Sequence, residues 1–135
     1  MHQVIYFSRG GNTKKLADAI AGEFNTRPQD VKEAKIGADT GILFLGSGCY
    51  GGRPGPEMLK FIEGNDFNGR GVALFGTAGG GVGKQFDPME NALRIKGAHV
   101  RGKHCSKGQA WLVMNRGHPN AQDLDDAKKF ARDMI

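Results

Sequence analysis

Cysteine is scarce: Cys49 and Cys105 are the only two in 135 residues. That is too few for the disulfide framework that staples small secreted domains, so free thiols are expected. No apolar stretch approaches the roughly 20 residues of a membrane helix, so no membrane partner is expected. The four histidines, His2, His99, His104 and His118, show no metal-ligand spacing, and no metal is assigned. No Ser/His/Asp set or paired carboxylates stand out, which leaves no catalytic residue to name. Acids are outnumbered, 14 against 19 bases, for a net charge of +5. The bases are scattered and no basic run interleaves with aromatics, so nucleic acid is not an expected partner. Solubility explains such a balance, and so does an acidic docking partner. Met1-His2-Gln3 leads straight into the first apolar run, which leaves no room for a signal peptide. A cytoplasmic location is the expectation.

Glycine, by contrast, is abundant, with 22 residues. They cluster at Gly10-Gly11, Gly46 to Gly55 and Gly76 to Gly83, each time after an apolar run. Val4-Ile5-Tyr6-Phe7, Ile42-Leu43-Phe44-Leu45 and Val72-Ala73-Leu74-Phe75 read as strands buried on both faces of a parallel sheet. His99 to Cys105 is mixed and basic and suits an edge strand. A weaker strand candidate near residues 26–31 contains Pro28, which an edge tolerates better than a centre.

Helical patterns separate these runs. They cover about 13–24, 56–64 and the stretch capped by Asp87 with Glu90 three residues on, and a last helix starts near Asn120. Residues 31–42 leave little room for a crossover helix, so the second helix of the expected alternation is short or irregular. Trp111-Leu112-Val113-Met114 reads either as an extension of the last strand or as a separate apolar segment. The alternation predicts one domain over residues 1–135, a doubly wound α/β fold. Its five-stranded parallel sheet has order 2-1-3-4-5, and ligands of such sheets bind beyond the C-terminal strand ends at the switch point.

The first glycine cluster carries the clearest chemistry. Ser8-Arg9-Gly10-Gly11-Asn12-Thr13 joins a strand to a helix N-terminus, where amides without intrahelical partners and the macrodipole favour a phosphate. The plainer reading is a tight turn with Asn12 or Thr13 as helix cap. The loop resembles the phosphate loop of flavodoxins, Ser/Thr-x-x-Gly-Asn-Thr after the first strand, with Ser8, Gly11, Asn12 and Thr13 in register. The resemblance spans residues 4–108 and the last helix. It implies flavin mononucleotide (FMN) as cofactor, with Ser8 to Thr13 on its phosphate. It also implies that Ser47, Gly48, Cys49, Tyr50 and Gly51 pack against one face of the ring. Tyr50 is then the stacking aromatic and Gly51 the peptide whose carbonyl accepts the N5–H of the one-electron-reduced flavin. Thr77, Ala78, Gly79, Gly80 and Gly81 would bind the pyrimidine edge. Read without the resemblance, Tyr50 is a loop aromatic facing solvent and Gly51 an ordinary tight turn.

Two departures from the family stand out. Gly80 lies near the place where many members put a second stacking aromatic. Arg53 and Lys84 also stand where many members crowd acids around the ring. Basic surroundings would favour the added negative charge of the fully reduced ring and make the second-electron potential less negative.

Rival readings fail on spacing. A nucleotide P-loop ending at Gly83-Lys84 needs Gly at 78 and Ser or Thr at 85, where this chain has Ala78 and Gln85. The resemblance implies a small electron carrier working between a reductase and an acceptor protein, with redox partners that offer an acidic docking face. A flavoprotein activator of class Ib ribonucleotide reductase, an NAD(P)H-dependent quinone or flavin reductase, and a non-redox scaffold remain alternatives.

Overall fold

The computed structural model describes residues 1–108 and 117–135. Five strands, β1 (Gln3–Phe7), β2 (Gln29–Asp30), β3 (Leu43–Gly48), β4 (Gly71–Ala78) and β5 (His99–Lys107), alternate with four helices. These are α1 (Asn12–Glu23), α2 (Pro56–Gly64), α3 (Phe86–Ile95) and α4 (Ala121–Asp133). All strand pairs are parallel and the sheet order is β2-β1-β3-β4-β5, as expected. The chain leaves β1 toward β2 on one side and returns to β3 on the other, which opens a crevice at the C-terminal ends of β1 and β3.

Side chains alternate across the central strands and so fill two cores. Ile5, Phe7, Leu43, Leu45, Val72 and Leu74 face Met58, Ile62, Met89 and Leu93 of α2 and α3. Val4, Tyr6, Phe44, Ala73 and Phe75 face Leu16, Ala17, Ile20, Ala127 and Ala131 of α1 and α4. Continuous apolar runs are the signature of strands covered on both sides. The edge strand β2 is two residues long, and the connection from it to β3 contains turns but no helix, which is the irregular form expected.

Several boundaries differ from the sequence reading. β3 continues through Gly46-Ser47-Gly48 and β4 through Gly76-Thr77-Ala78, stretches expected to be loop. Packing explains the difference. Gly46 pairs with Phe75, and a Cβ at Gly46 would run into that ring, while one at Gly76 would strike the Ser47 carbonyl. These glycines are strand residues at close approaches. Asp87 is not the cap of α3. A turn closed by Phe86 N–H to Gly83 O (3.0 Å) starts the helix two residues earlier, with Gln85 at the N-cap position. Asp87 remains in the first turn, where its charge suits the dipole. The other end of α3 closes as a Schellman motif. Gly97 has φ +83° and its N–H meets Arg94 O, while Ala98 N–H meets Leu93 O, both at 3.0 Å. Asn120 caps α4 as expected, in a reciprocal box with Asp123. Trp111 to Met114 lie outside the described residues.

Candidate functional site

The C-terminal ends of β1, β3 and β4 meet around one groove of about 220 Å³. Ser8, Gly10, Asn12 and Thr13 line it from the first loop, Gly48, Cys49 and Tyr50 from the second, and Thr77, Ala78 and Gly79 from the third. Gly108, just past β5, completes the wall. Three stretches far apart in sequence thus converge on the switch point.

The first loop turns on Gly11, which sits at the N-cap of α1 with φ +91° and supplies no side-chain cap. The capping reading of Asn12 and Thr13 therefore fails. Both residues lie inside the helix, and the Thr13 hydroxyl meets the Thr77 hydroxyl at 2.8 Å, tying α1 to β4 under the groove. Ser8 Oγ accepts the Gly11 N–H at 3.0 Å, which holds the loop closed.

Tyr50 forms the opposite wall. Its hydroxyl accepts the Arg9 N–H at 3.1 Å, and the Arg9 guanidinium lies 4.1 Å over its ring. The Phe7 ring meets Tyr50 edge-on at 6.0 Å. A Cβ at Gly48 would come within 2.6 Å of the Tyr50 hydroxyl, so only glycine lets the ring lie back over the end of β3. Burial pushes the phenol above its ordinary range, while the Arg9 N–H bond and the Arg9 charge pull it back down. Tyr50 is thus half-buried and clamped, not a free surface aromatic. Gly51 and Gly52 follow with φ +65° and +83° in a two-residue turn closed by Tyr50 N–H to Arg53 O at 2.8 Å. Positive φ at both central positions is the type I′ pattern, which glycine meets without strain.

Ser47 is fully buried beneath the groove, and its Oγ accepts the Gly55 N–H at 3.0 Å. Gly80 and Gly81 turn away from the groove toward an adjoining cavity of about 320 Å³, shared with His104, Cys105, His118, Asp123 and Asp126. Cys49 and Cys105 are both free. Burial raises the Cys105 thiol to about 11, and a contact with the Gln85 side chain offsets only part of that rise. Among the described residues no group of acids, cysteines and histidines suits a metal ion.

Sequence reasoning missed two residues. Gln85 is 0% exposed, and its Nε2 donates to Ser47 O at 3.2 Å and Thr77 O at 3.3 Å, joining β3 to β4 beneath the ring-side wall. Nothing in its sequence neighbourhood marked an inward-facing amide. Gly108 donates its N–H to Ala78 O at 3.3 Å, and a Cβ there would press on Thr77 and Asn12. It appears in sequence only as one more glycine after a strand.

The residues present fit a phosphorylated flavin. The first turn of α1 contains no acid, and Lys14 and Lys15 follow directly, so the positive end of the dipole meets more positive charge. An anion resolves that conflict. A Cβ at Gly10 or Gly11 would meet nothing within 4 Å, so the loop is open on that side. The groove is smaller than the roughly 300–1,000 Å³ of pockets that enclose a ligand, which suits one that keeps an edge in solvent.

Known proteins are similar to this chain. Residues 3–95 match the flavodoxin domain. A flavodoxin of Clostridium beijerinckii is 30% identical over 109 residues, covering 73% of this chain and 79% of its own. An uncharacterised protein of Methanocaldococcus jannaschii is 27% identical over 135 residues, covering 92% of this chain and 90% of its own. A solved flavodoxin from the domain Archaea superposes with a TM-score of 0.76 at 22% identity, over 98% of this chain and 94% of that one. This chain therefore belongs to the flavodoxin family, which implies a flavin cofactor.

Proposed function

We propose that the protein is a one-electron carrier that binds FMN in the groove and works between a reductase and an acceptor protein, with no organic substrate of its own. The observation that carries this reading is the convergence of a phosphate-type helix start, a clamped tyrosine and the end of β4 on one groove. When bound, FMN supplies the redox chemistry, accepting and releasing electrons singly.

The chain's residues do the rest. Ser8, Arg9, Gly10, Gly11, Asn12 and Thr13 seat the phosphate on the start of α1. Ser47, Gly48, Cys49, Tyr50 and Gly51 form one wall for the ring, with Tyr50 held in place by Arg9. Gly51 leaves a backbone carbonyl free to turn toward the ring, because glycine lacks a Cβ. Thr77, Ala78 and Gly79 bound the other edge, and Gly80 and Gly81 carry the loop on past the groove.

Titration calorimetry with FMN, followed by stopped-flow mixing of the loaded protein with NADPH, tests the proposal. Tight FMN binding and slow direct oxidation of NADPH are expected. No heat with FMN would overturn the assignment, and fast catalytic turnover of NADPH would replace the carrier with a reductase.

A further inference from the structure

We infer that the rim of the groove is a docking face for the acidic surface of a redox partner protein, an inference that rests on the electron-carrier reading. Four cations stand around the groove, three on its loops and Lys107 at the end of β5. Arg9 lies over Tyr50, and Arg53 closes the two-residue turn that follows it. Lys84 lies beside that turn, since a Cβ at Gly52 would come within 3.9 Å of its Cδ. Lys107 lies beside the third loop, 3.3 Å from where a Cβ of Gly81 would be. All four are exposed.

None of them is neutralised by a salt bridge among the described residues. The pairs found there are Glu90 with Arg94 and with Lys103, His118 with Asp123, and Glu23 with Arg132. Acids near the patch reduce it without reversing its sign: Glu57 acts on Tyr50, Asp87 shares a shallow cavity with Lys84, and Asp123, bonded to His118 and Asn120, also feels the charge of Lys107. Val82 stands beside Lys84, 72% exposed, in the third loop. An exposed apolar residue next to charge predominantly of one sign suits a protein interface: the apolar contact excludes water and the charges steer the encounter. The complementary surface is acidic.

The test uses the FMN-loaded protein, reduced photochemically and mixed in a stopped-flow instrument with either of two haem proteins, acidic cytochrome b5 or basic cytochrome c. Steering predicts a rate with cytochrome b5 that falls as salt rises, and a rate with cytochrome c that rises. The double variant R53E/K84E should slow transfer to cytochrome b5 about 10-fold at low salt and regain most of that rate at high salt, where a loss through the flavin's potential would persist. A matched reversal away from the groove, R101E/K128E, should change that rate less than about 2-fold. Opposite or equal salt slopes, or equal losses in the two variants, overturn the docking face. A DNA oligonucleotide that binds at 150 mM salt more tightly than cytochrome b5 overturns it too, in favour of a nucleic-acid surface. If the chain takes up no FMN, the missing flavin absorbance counts against the carrier reading. Calorimetric titration of the unloaded chain with cytochrome b5 then decides the docking face: salt-sensitive heat supports it and its absence overturns it.

Discussion

Replacing Arg9 with glutamine isolates the clamp on Tyr50. The substitution keeps the backbone N–H that bonds the Tyr50 hydroxyl at 3.1 Å and removes the guanidinium 4.1 Å above the ring. A cation over an aromatic face is worth about 0.5–1 kcal/mol when exposed and about 2 kcal/mol when desolvated. Arg9 is exposed, so roughly 1 kcal/mol is appropriate, a loss of about 5-fold in affinity for whatever Tyr50 covers. The side chain has a rival role as a simple counter-charge for a phosphate, worth a similar ~1 kcal/mol at 4 Å in water. Fluorescence titration with FMN and with riboflavin, which lacks the phosphate, separates the two. A clamp acting on the ring wall predicts equal losses for both ligands and a melting temperature lower by a few degrees in the unloaded chain. A loss confined to FMN would refute the clamp and reassign Arg9 to the phosphate, and no loss for either would remove it from the site.

Gly51→Ala places a Cβ at φ +65° in otherwise open space, so strain is its main effect, about 1–2 kcal/mol. Phosphate-side affinity should hold while the two one-electron potentials of the loaded protein move relative to each other; unchanged potentials in a spectroelectrochemical titration would exclude Gly51 from the redox role. Gln85→Leu strips the donor from the Ser47 and Thr77 carbonyls, and leaving buried acceptors unpaired should lower stability by about 1–3 kcal/mol in urea denaturation. An unchanged midpoint would show the staple to be idle. Cys105 is raised to about 11 in the folded chain against 9.0 ordinarily, so between those values the folded state holds the extra proton. Its contribution to stability is whole below pH 9 and lost as pH rises toward 11, so the wild-type melting temperature should fall across that window more steeply than that of Cys105→Ser. Equal slopes would count against the assignment.

The fold was legible because its signals are local. Val4 to Phe7 and Val72 to Phe75 announce buried strands by continuous apolarity, and Ser8 to Thr13 announces a tight strand-to-helix turn by its glycines. What stayed hidden depends on contacts distant in sequence. Gly46 looks like a loop residue until Phe75 is laid across it. Gln85 reads as a solvent-facing polar side chain, yet its amide reaches carbonyls 38 and 8 residues away. Asp87 satisfies the local rule for a helix cap, but the turn from Gly83 to Phe86 begins the helix before it. Gly108 joins the groove only because β5 ends beside β4.

Lysines at positions 14 and 15 set like charge against like at the start of a helix. An empty chain bears that repulsion continuously, and a chain holding a dianion is relieved of it. Folding and loading are then one equilibrium: the protein should melt higher as its nucleotide is supplied, and its lifetime in a cell should follow how much of that nucleotide the cell makes.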